Sequence, residues 1–222
     1  MTSIGLITIG QAPRGDVVMS MFGQWRPAAL TQAGALDQLD DDDIARLAAR
    51  AGELPLVTRL RDRREVVVSE ERIVTHLQGA LDRVVAGGAG IVVVLCTGEF
   101  PDLTSPVPII FPDRVLRGVV DAVLPSGTLG VLMPHSGQGP LMARKWTTPA
   151  RHVVCATSSP YTARAELESR ARELARAGAG LIVMDCMGYD RAMKGAVAAA
   201  SGLPTLLANR MVGRVVEEIA ES

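Results

Sequence analysis

Two cysteines carry the chemistry this chain is best equipped for. Cys96 follows the aliphatic run Ile91-Val92-Val93-Val94-Leu95, and Cys186 follows Leu181-Ile182-Val183-Met184 by one aspartate; each is trailed two residues later by a glycine, Gly98 and Gly188. A thiol is a soft nucleophile and a tunable acid whose ordinary pKa is ~8.5, and a nearby cation or free backbone N–H groups stabilise the thiolate. Two thiols facing each other across a cleft can work on opposite faces of one substrate carbon. One, as thiolate, removes a proton; the other, as thiol, returns one from the far side. Such inversion next to a carboxylate needs no cofactor, only donors that hold the carboxylate and stabilise enolate-like charge. Candidate donors sit in the polar turns Thr97-Gly98, Ser136-Gly137, Gly188 and Gly10-Gln11.

Other groups are weighed against plainer roles. Free cysteine often merely fills a core, but two at matched positions favour function. Cys155, inside an expected strand with no polar turn after it, is read as structural. Arg14 could clamp a carboxylate bidentately, or be a surface residue at a helix start. Asn209 and Arg210, just past the last strand, are similar candidates. His135, in a Pro/Gly turn, could be a general acid or base or a solvated loop residue. Tyr189 could line the pocket, Asp185 could orient the loop, and Glu99 could relay protons. Met19, Met21 and Phe22 read as one apolar helix face. A zinc site is the weaker reading, because no Cys-x-x-Cys pair occurs and His76 and His152 have no ligand partner nearby in sequence. The run Asp40 to Asp43 reads as a solvated helix start, since carboxylates favour the positive end of the helix dipole.

The elements that must position these groups follow from the apolar pattern. Residues 4–9 form a strand, then a Pro/Gly turn and a helix from Asp16. A helix is expected over 44–51 and a hairpin from 56–60 with 65–68. Ser69 is a good N-cap for a helix over 70–86 with Ile73, Leu77, Leu81 and Val84 on one face. The strands 91–95 and 181–184 are unbroken apolar runs, which implies parallel strands buried on both faces. Further strands are expected at 107–111, 129–133, 152–156 and 203–207, with helices over 115–123 and 163–177 and a terminal helix to about Ala220. AGGAGIVVVLCTG (86–98) and AGAGLIVMDCMG (177–188) echo each other, so that both cysteines fall at the carboxyl ends of strands, where open α/β sheets bind ligands. The reading is an α/β fold with two similar lobes around a cleft: residues 1–125, residues 126–208, and a terminal helix over 209–222 that could return to the first lobe.

Composition agrees. The 222 residues are 48% hydrophobic, poor in aromatics, and carry a formal net charge of -1, so neither a nucleic-acid nor an anionic-membrane partner is expected. Three cysteines argue against a disulfide framework. The opening Met1-Thr2-Ser3-Ile4 does not read as a signal peptide and no apolar run is long enough to span a bilayer; the cytoplasm, with reduced thiols, is the expected location.

The segments Leu6-Ile7-Thr8-Ile9-Gly10-Gln11-Ala12-Pro13-Arg14, Leu77-Gln78-Gly79, Met184-Asp185-Cys186-Met187-Gly188-Tyr189 and Pro204-Thr205-Leu206-Leu207-Ala208-Asn209 resemble the AroM family, in order and over essentially the whole chain. More distantly the layout is similar to the aspartate/glutamate/hydantoin racemase superfamily. That resemblance implies two Rossmann-like lobes with parallel sheets and an active-site cleft between them. Cys96-Thr97 looks like the superfamily's first catalytic cysteine and Cys186 like its second. Met187-Gly188 stands where Thr-Glu is common, and the first turn lacks the Asp-Ser of glutamate racemases, so glutamate itself is a doubtful substrate. The expectation is a cofactor-independent (PLP-free, metal-free) racemase or epimerase of a small carboxylate such as an amino acid or hydantoin-like compound. Cys96 and Cys186 are the acid/base pair. Gly10, Gln11, Arg14, Thr97, Gly98, His135, Ser136, Gly137, Gly188, Tyr189 and Asn209 bind substrate. The alternatives are a decarboxylase or cis–trans isomerase at the same site, or a protein that binds a small carboxylate without turning it over. A homodimer is left open.

Overall fold

The computed structural model describes residues 2–25, 27, 29–161 and 163–221. Two four-stranded parallel sheets carry the architecture. The first contains β1 (Ile4–Thr8), β2 (Leu30–Gly34), β5 (Ile91–Val94) and β6 (Ile109–Ile110), in the order β2-β1-β5-β6. The second contains β7 (Gly127–Met133), β8 (Arg151–Thr157), β9 (Leu181–Met184) and β10 (Thr205–Leu207), in the order β10-β9-β7-β8. Within each sheet the earliest strand is flanked by the second and third, and the fourth lies outside the third. The two sheets therefore have the same topology, and Cys96 and Cys186 follow equivalent strands. One insertion breaks the likeness: between its second and third strands the first sheet gains an antiparallel hairpin, β3 (Pro55–Arg59) with β4 (Glu65–Ser69).

Helices α1 (Gly15–Phe22), α2 (Asp41–Arg46), α3 (Glu70–Ala86), α4 (Pro112–Val123), α5 (Gly139–Trp146), α6 (Arg164–Arg176), α7 (Arg191–Ser201) and α8 (Ala208–Ala220) cover the sheets. Alternate residues of the central strands face opposite layers, as the period of a strand requires. Leu6, Val93, Leu129, Val131 and Val183 share one core with Val212 and Val216 of α8. Ile7, Val92 and Val94 pack under α3, and Leu132, Ile182 and Met184 under α6 and α7. All four residues of β5 and all four of β9 are buried, each worth about 1.5–3 kcal/mol if fully transferred from water. Among the described residues no helix is long and apolar enough to cross a membrane.

Several boundaries differ from the sequence expectation. The helix expected over 44–51 is the shorter α2. Asp40 caps it by accepting the Asp43 N–H at 2.8 Å, and it ends early because the following segment turns toward the hairpin, where Leu47 O accepts the Ser69 N–H. The strand expected over 107–111 is reduced to two residues. The apolar pattern missed β2 and α5. Of the expected apolar face of α1, Met21 and Phe22 are buried, but Met19 is 60% exposed on the opposite side. The chain end packs on the first lobe's α1: Arg210 Nη1 donates to Met21 O at 2.8 Å, and Trp25 Nε1 donates to Glu221 Oε1 at 2.8 Å.

The α1–α8 contact is close enough to need a glycine. A Cβ on Gly213 would sit 2.3 Å from the carbonyl oxygen of Met21. Gly213→Ala should therefore destabilise the protein by about 1–3 kcal/mol despite alanine's better helix propensity. At Gly118 and Gly195, where a Cβ meets nothing within 4 Å, the same change should stabilise by up to about 1 kcal/mol. Urea midpoints of the three variants check this.

Candidate active site

The carboxyl ends of the two sheets meet over a small enclosed cavity of about 30 Å³, about the room for one water. Both Cys96 and Cys186 line it, together with Arg14, Thr97, Gly98, Gly188, Asp185, Gln138, Thr58 and Tyr161. The hairpin supplies one wall through Leu56, Val57 and Thr58, and α5 supplies another through Leu141 and Met142.

The two thiols sit in matched cradles. The N–H of Gly98 donates to Cys96 Sγ at 3.4 Å, and the N–H of Gly188 donates to Cys186 Sγ at 3.4 Å. Both places are tight for a side chain. A Cβ on Gly98 would lie 2.9 Å from Glu70 Oε2, and one on Gly188 2.9 Å from Pro160 Cγ and 3.1 Å from the Tyr161 hydroxyl. Burial pushes both thiols up, Cys186 to about 11 and Cys96 further. The glycine N–H groups pull the other way, as do Lys145 beside Cys96 and Arg14 beside Cys186. Cys186 and Glu70 add to the rise at Cys96, and Asp185 and Glu65 to the rise at Cys186. At neutral pH both are thiols with a donor and a cation in place to receive charge.

Beneath the cradles lies a buried ion pair. Lys145 Nζ contacts Asp185 Oδ2 at 3.0 Å and Oδ1 at 3.2 Å, and both side chains are fully buried. Trp146 Nε1 donates to Asp185 Oδ2 at 2.8 Å, and Lys145 Nζ donates to Thr97 O at 2.9 Å. Thr97 Oγ1 donates to Asp185 O at 3.2 Å. The loop after β5 is thus tied to the loop after β9.

Arg14 is 7% exposed and lies at the cavity rather than on the surface. Its Nε and Nη2 each donate to Asp16 at 2.9 Å, and Nη2 also donates to the Tyr161 hydroxyl at 3.1 Å. Desolvation works against its charge, but Asp16 and Tyr161 outweigh it and hold the guanidinium protonated. Tyr161 is itself pushed up to about 12, mainly by burial, and the Arg59 guanidinium stacks 4.6 Å from its ring centre.

The remaining residues proposed from sequence as substrate binders do not line this cavity. Gly10 is where the hairpin crosses the end of β1; a Cβ there would meet Thr58 Oγ1 at 2.4 Å and Arg59 O at 2.5 Å. Gln11 fastens the same crossing, donating to Leu36 O at 3.2 Å and accepting the Arg61 N–H at 3.0 Å. His135 Nδ1 accepts the Gly137 N–H at 3.0 Å, capping the short 3₁₀ turn Ser136–Gln138. His135 and Gly137 border an outer groove on the far side of Pro55. Tyr189 and Asn209 are fully buried. Tyr189 donates to Ser158 O, while Asn209 Nδ2 donates to Met187 O at 2.9 Å and to Tyr189 O. They fix the Cys186 loop from behind. Glu99, weighed as a relay, is paired with Arg117 and Arg144. Among the described residues no group of His, Cys, Asp and Glu could hold a metal ion.

Sequence reasoning missed Lys145, Trp146, Tyr161, Gln138 and Thr58. A signal existed for α5: Pro140 directly after Gly139 is a common helix opening, and it brings Lys145 and Trp146 into the site. Breaking the ion pair should be costly. Lys145→Met leaves Asp185 buried and uncompensated and should lower stability by about 3–5 kcal/mol, and Lys145→Met/Asp185→Leu should recover part of it. Denaturant titration of the two variants tests this.

The fold is shared with solved proteins. The chain is similar to unliganded arylmalonate decarboxylase (TM-score 0.65, 11% identity, covering 99% of this chain and 93% of that one). It is similar to the glutamate racemase isoform RacE1 from Bacillus anthracis (0.64, 12%, 99% and 82%). It is also similar to PH1733, an aspartate racemase homologue from Pyrococcus horikoshii OT3 (0.60, 10%, 100% and 100%). At such identities the likeness shows the two-lobed fold alone. No curated protein matches the chain in sequence. The sequence profile of the AroM protein family matches residues 4–220, and the chain belongs to that family.

Proposed function

We propose that this chain is a cofactor-independent racemase or epimerase of a small carboxylate, an amino acid or hydantoin-like compound, with Cys96 and Cys186 as the proton-transferring pair. The observation that carries this reading is that two thiols, placed after equivalent strands of twin sheets and each receiving a glycine N–H, line one small cavity. Aspartate and glutamate racemases among the structural neighbours support the reaction class.

The substrate carboxylate exchanges with Asp16 for the Arg14 guanidinium, which already presents two donors. One sulfur, as thiolate, takes the α-proton: the C–H bond breaks, an S–H bond forms, and the electron pair moves into the carboxylate as an enediolate. The second N–H of Gln138 Nε2, whose first goes to Pro55 O, stabilises that charge from the cavity wall. The opposite thiol then gives its proton to the other face of the carbon, which inverts the centre and leaves the protonation of the pair exchanged. A buried site free of bulk water strengthens each of these interactions.

A cavity of about 30 Å³ is well below the ~300 Å³ and upward of ordinary ligand sites, so entry requires the wall to open. We take the hairpin as that wall, because it is an insertion outside both parallel sheets. It is held to the second lobe by Gln138 Nε2 to Pro55 O at 2.9 Å and Ser159 Oγ to Glu65 Oε2 at 2.6 Å.

The test is a panel of aspartate, glutamate and a substituted hydantoin incubated in D₂O, with α-proton exchange followed by NMR and inversion by polarimetry. The wild-type chain should exchange and invert at least one of them. Cys96→Ser and Cys186→Ser should each lower inversion by about 10²–10⁴-fold, the range a positioned acid or base supplies. Full inversion in both variants refutes the two-thiol reaction. Release of CO₂ from a malonate without inversion replaces it with decarboxylation, and ligand-induced thermal stabilisation without exchange replaces it with binding alone.

A further inference from the structure

A two-thiol site leaves each turnover with its protons exchanged between the sulfurs, and while the wall is shut a separate route to solvent is needed to restore them. Cys96 has a neighbour suited to that task. Glu70, the first residue of α3, places Oε2 against Gly98, 2.9 Å from where a Cβ would stand. Gly98 is the residue whose N–H donates to Cys96 Sγ. Oε2 is buried and has no hydrogen-bond partner in the described structure. The same side chain borders a separate outer groove of about 600 Å³, next to Leu54, Val74 and Pro101. Glu70 therefore touches both the residue that cradles Cys96 and the outer groove.

We propose that Glu70 relays protons for Cys96, taking the thiol proton through one intervening water, passing it to water in the outer groove, and returning one by the same route. In the forward step the S–H bond breaks, the electron pair stays on sulfur and the carboxylate becomes a carboxylic acid; the acid then releases its proton to solvent. The charged groups that act on Glu70 are Lys145 and Arg144 of α5 and Asp113 of α4. Asp113 Oδ1 is likewise buried without a partner. Burial raises both carboxyls above their ordinary range, the two cations opposing it at Glu70. That brings Glu70 closer to a thiol's range than a solvated glutamate would be. Glu99, nearer in sequence, cannot serve, because it is committed to Arg117 and Arg144.

The inference rests on Cys96 being a proton-transferring thiol, so its test begins without substrate. In a Cys155→Ser/Cys186→Ser background Cys96 is the single thiol, and its alkylation by iodoacetamide is followed from pH 6 to 11. Glu70→Gln should raise the alkylation rate at least threefold at every pH across this range, whereas Glu70→Asp should stay close to the parent. Circular dichroism confirms that each variant is folded. With all cysteines restored, Glu70→Gln should slow α-proton exchange at least tenfold with KM little changed, although its thiol ionises more readily. Glu70→Asp should recover most of the rate. A merely structural role for Glu70 does not combine an easier thiol ionisation with a slower turnover. An alkylation profile unchanged by Glu70→Gln in a folded protein overturns the inference, as does an unchanged exchange rate. Absence of exchange in the wild-type chain sinks the racemase reading instead, and the alkylation profile still decides whether Glu70 serves Cys96.

Discussion

The contact between Lys145 and Asp185 holds the site together. Removing two charges from water is expensive, several kcal/mol per ion, and is offset only when geometry and hydrogen bonding are complete. Here they are. Asp185 accepts from both Lys145 and Trp146, and the spare donor capacity of Lys145 goes to the carbonyl of Thr97. That last bond crosses from helix α5 beside the second sheet to the loop after β5 of the first. The pair thus fixes where the residue after Cys96 lies relative to the residue before Cys186. Two thiols can share one small cavity only if the loops carrying them keep a constant spacing.

Around this anchor the two halves repeat one device with different parts. A strand ends, a cysteine turns inward, and the glycine two residues on points its N–H back at the sulfur. Each glycine is hemmed in by a group from elsewhere, Glu70 in the first half and Pro160 with Tyr161 in the second. Each sulfur has one cation nearby, Lys145 or Arg14. Burial opposes ionisation of both, so the local dipoles and cations decide how readily charge forms. Behind Cys186, Asn209, Tyr189 and Ser20 form a buried chain, with Ser20 Oγ donating to Asn209 Oδ1 at 3.2 Å.

Much of this was legible in the sequence, and the failures have physical causes. Strands β5 and β9 announced themselves because burial on both faces leaves no room for polar residues, and the Cys-x-Gly echo located both cradles. The edge strand β2 (Leu-Thr-Gln-Ala-Gly) is half-exposed over its first three residues, so its composition carries no strand signal. Helix α5 was hidden because a lysine ordinarily marks a solvated face, whereas Lys145 is buried by a partner forty residues away. Thr58 and Tyr161 reach the cavity through the hairpin and the β8–α6 loop, contacts that no local pattern encodes. Asn209 stands among the substrate-binding candidates of the sequence, but a carboxamide can hold a loop's carbonyls as readily as a ligand, and in the fold it holds those of Met187 and Tyr189.

The hairpin is the feature that spoils the approximate twofold relation of the lobes, and its effect on a racemase would be constrained by thermodynamics. Mirror-image substrates have equal free energy in water, so kcat/KM must be the same for both, whatever the enzyme's shape. An asymmetric roof over one thiol cannot favour one hand in net flux. It can only redistribute: the enantiomer that fits better beneath Leu56 and Thr58 is held more tightly and released more slowly, by equal factors. The lopsided build of this protein would then appear as two different saturation curves with a common initial slope.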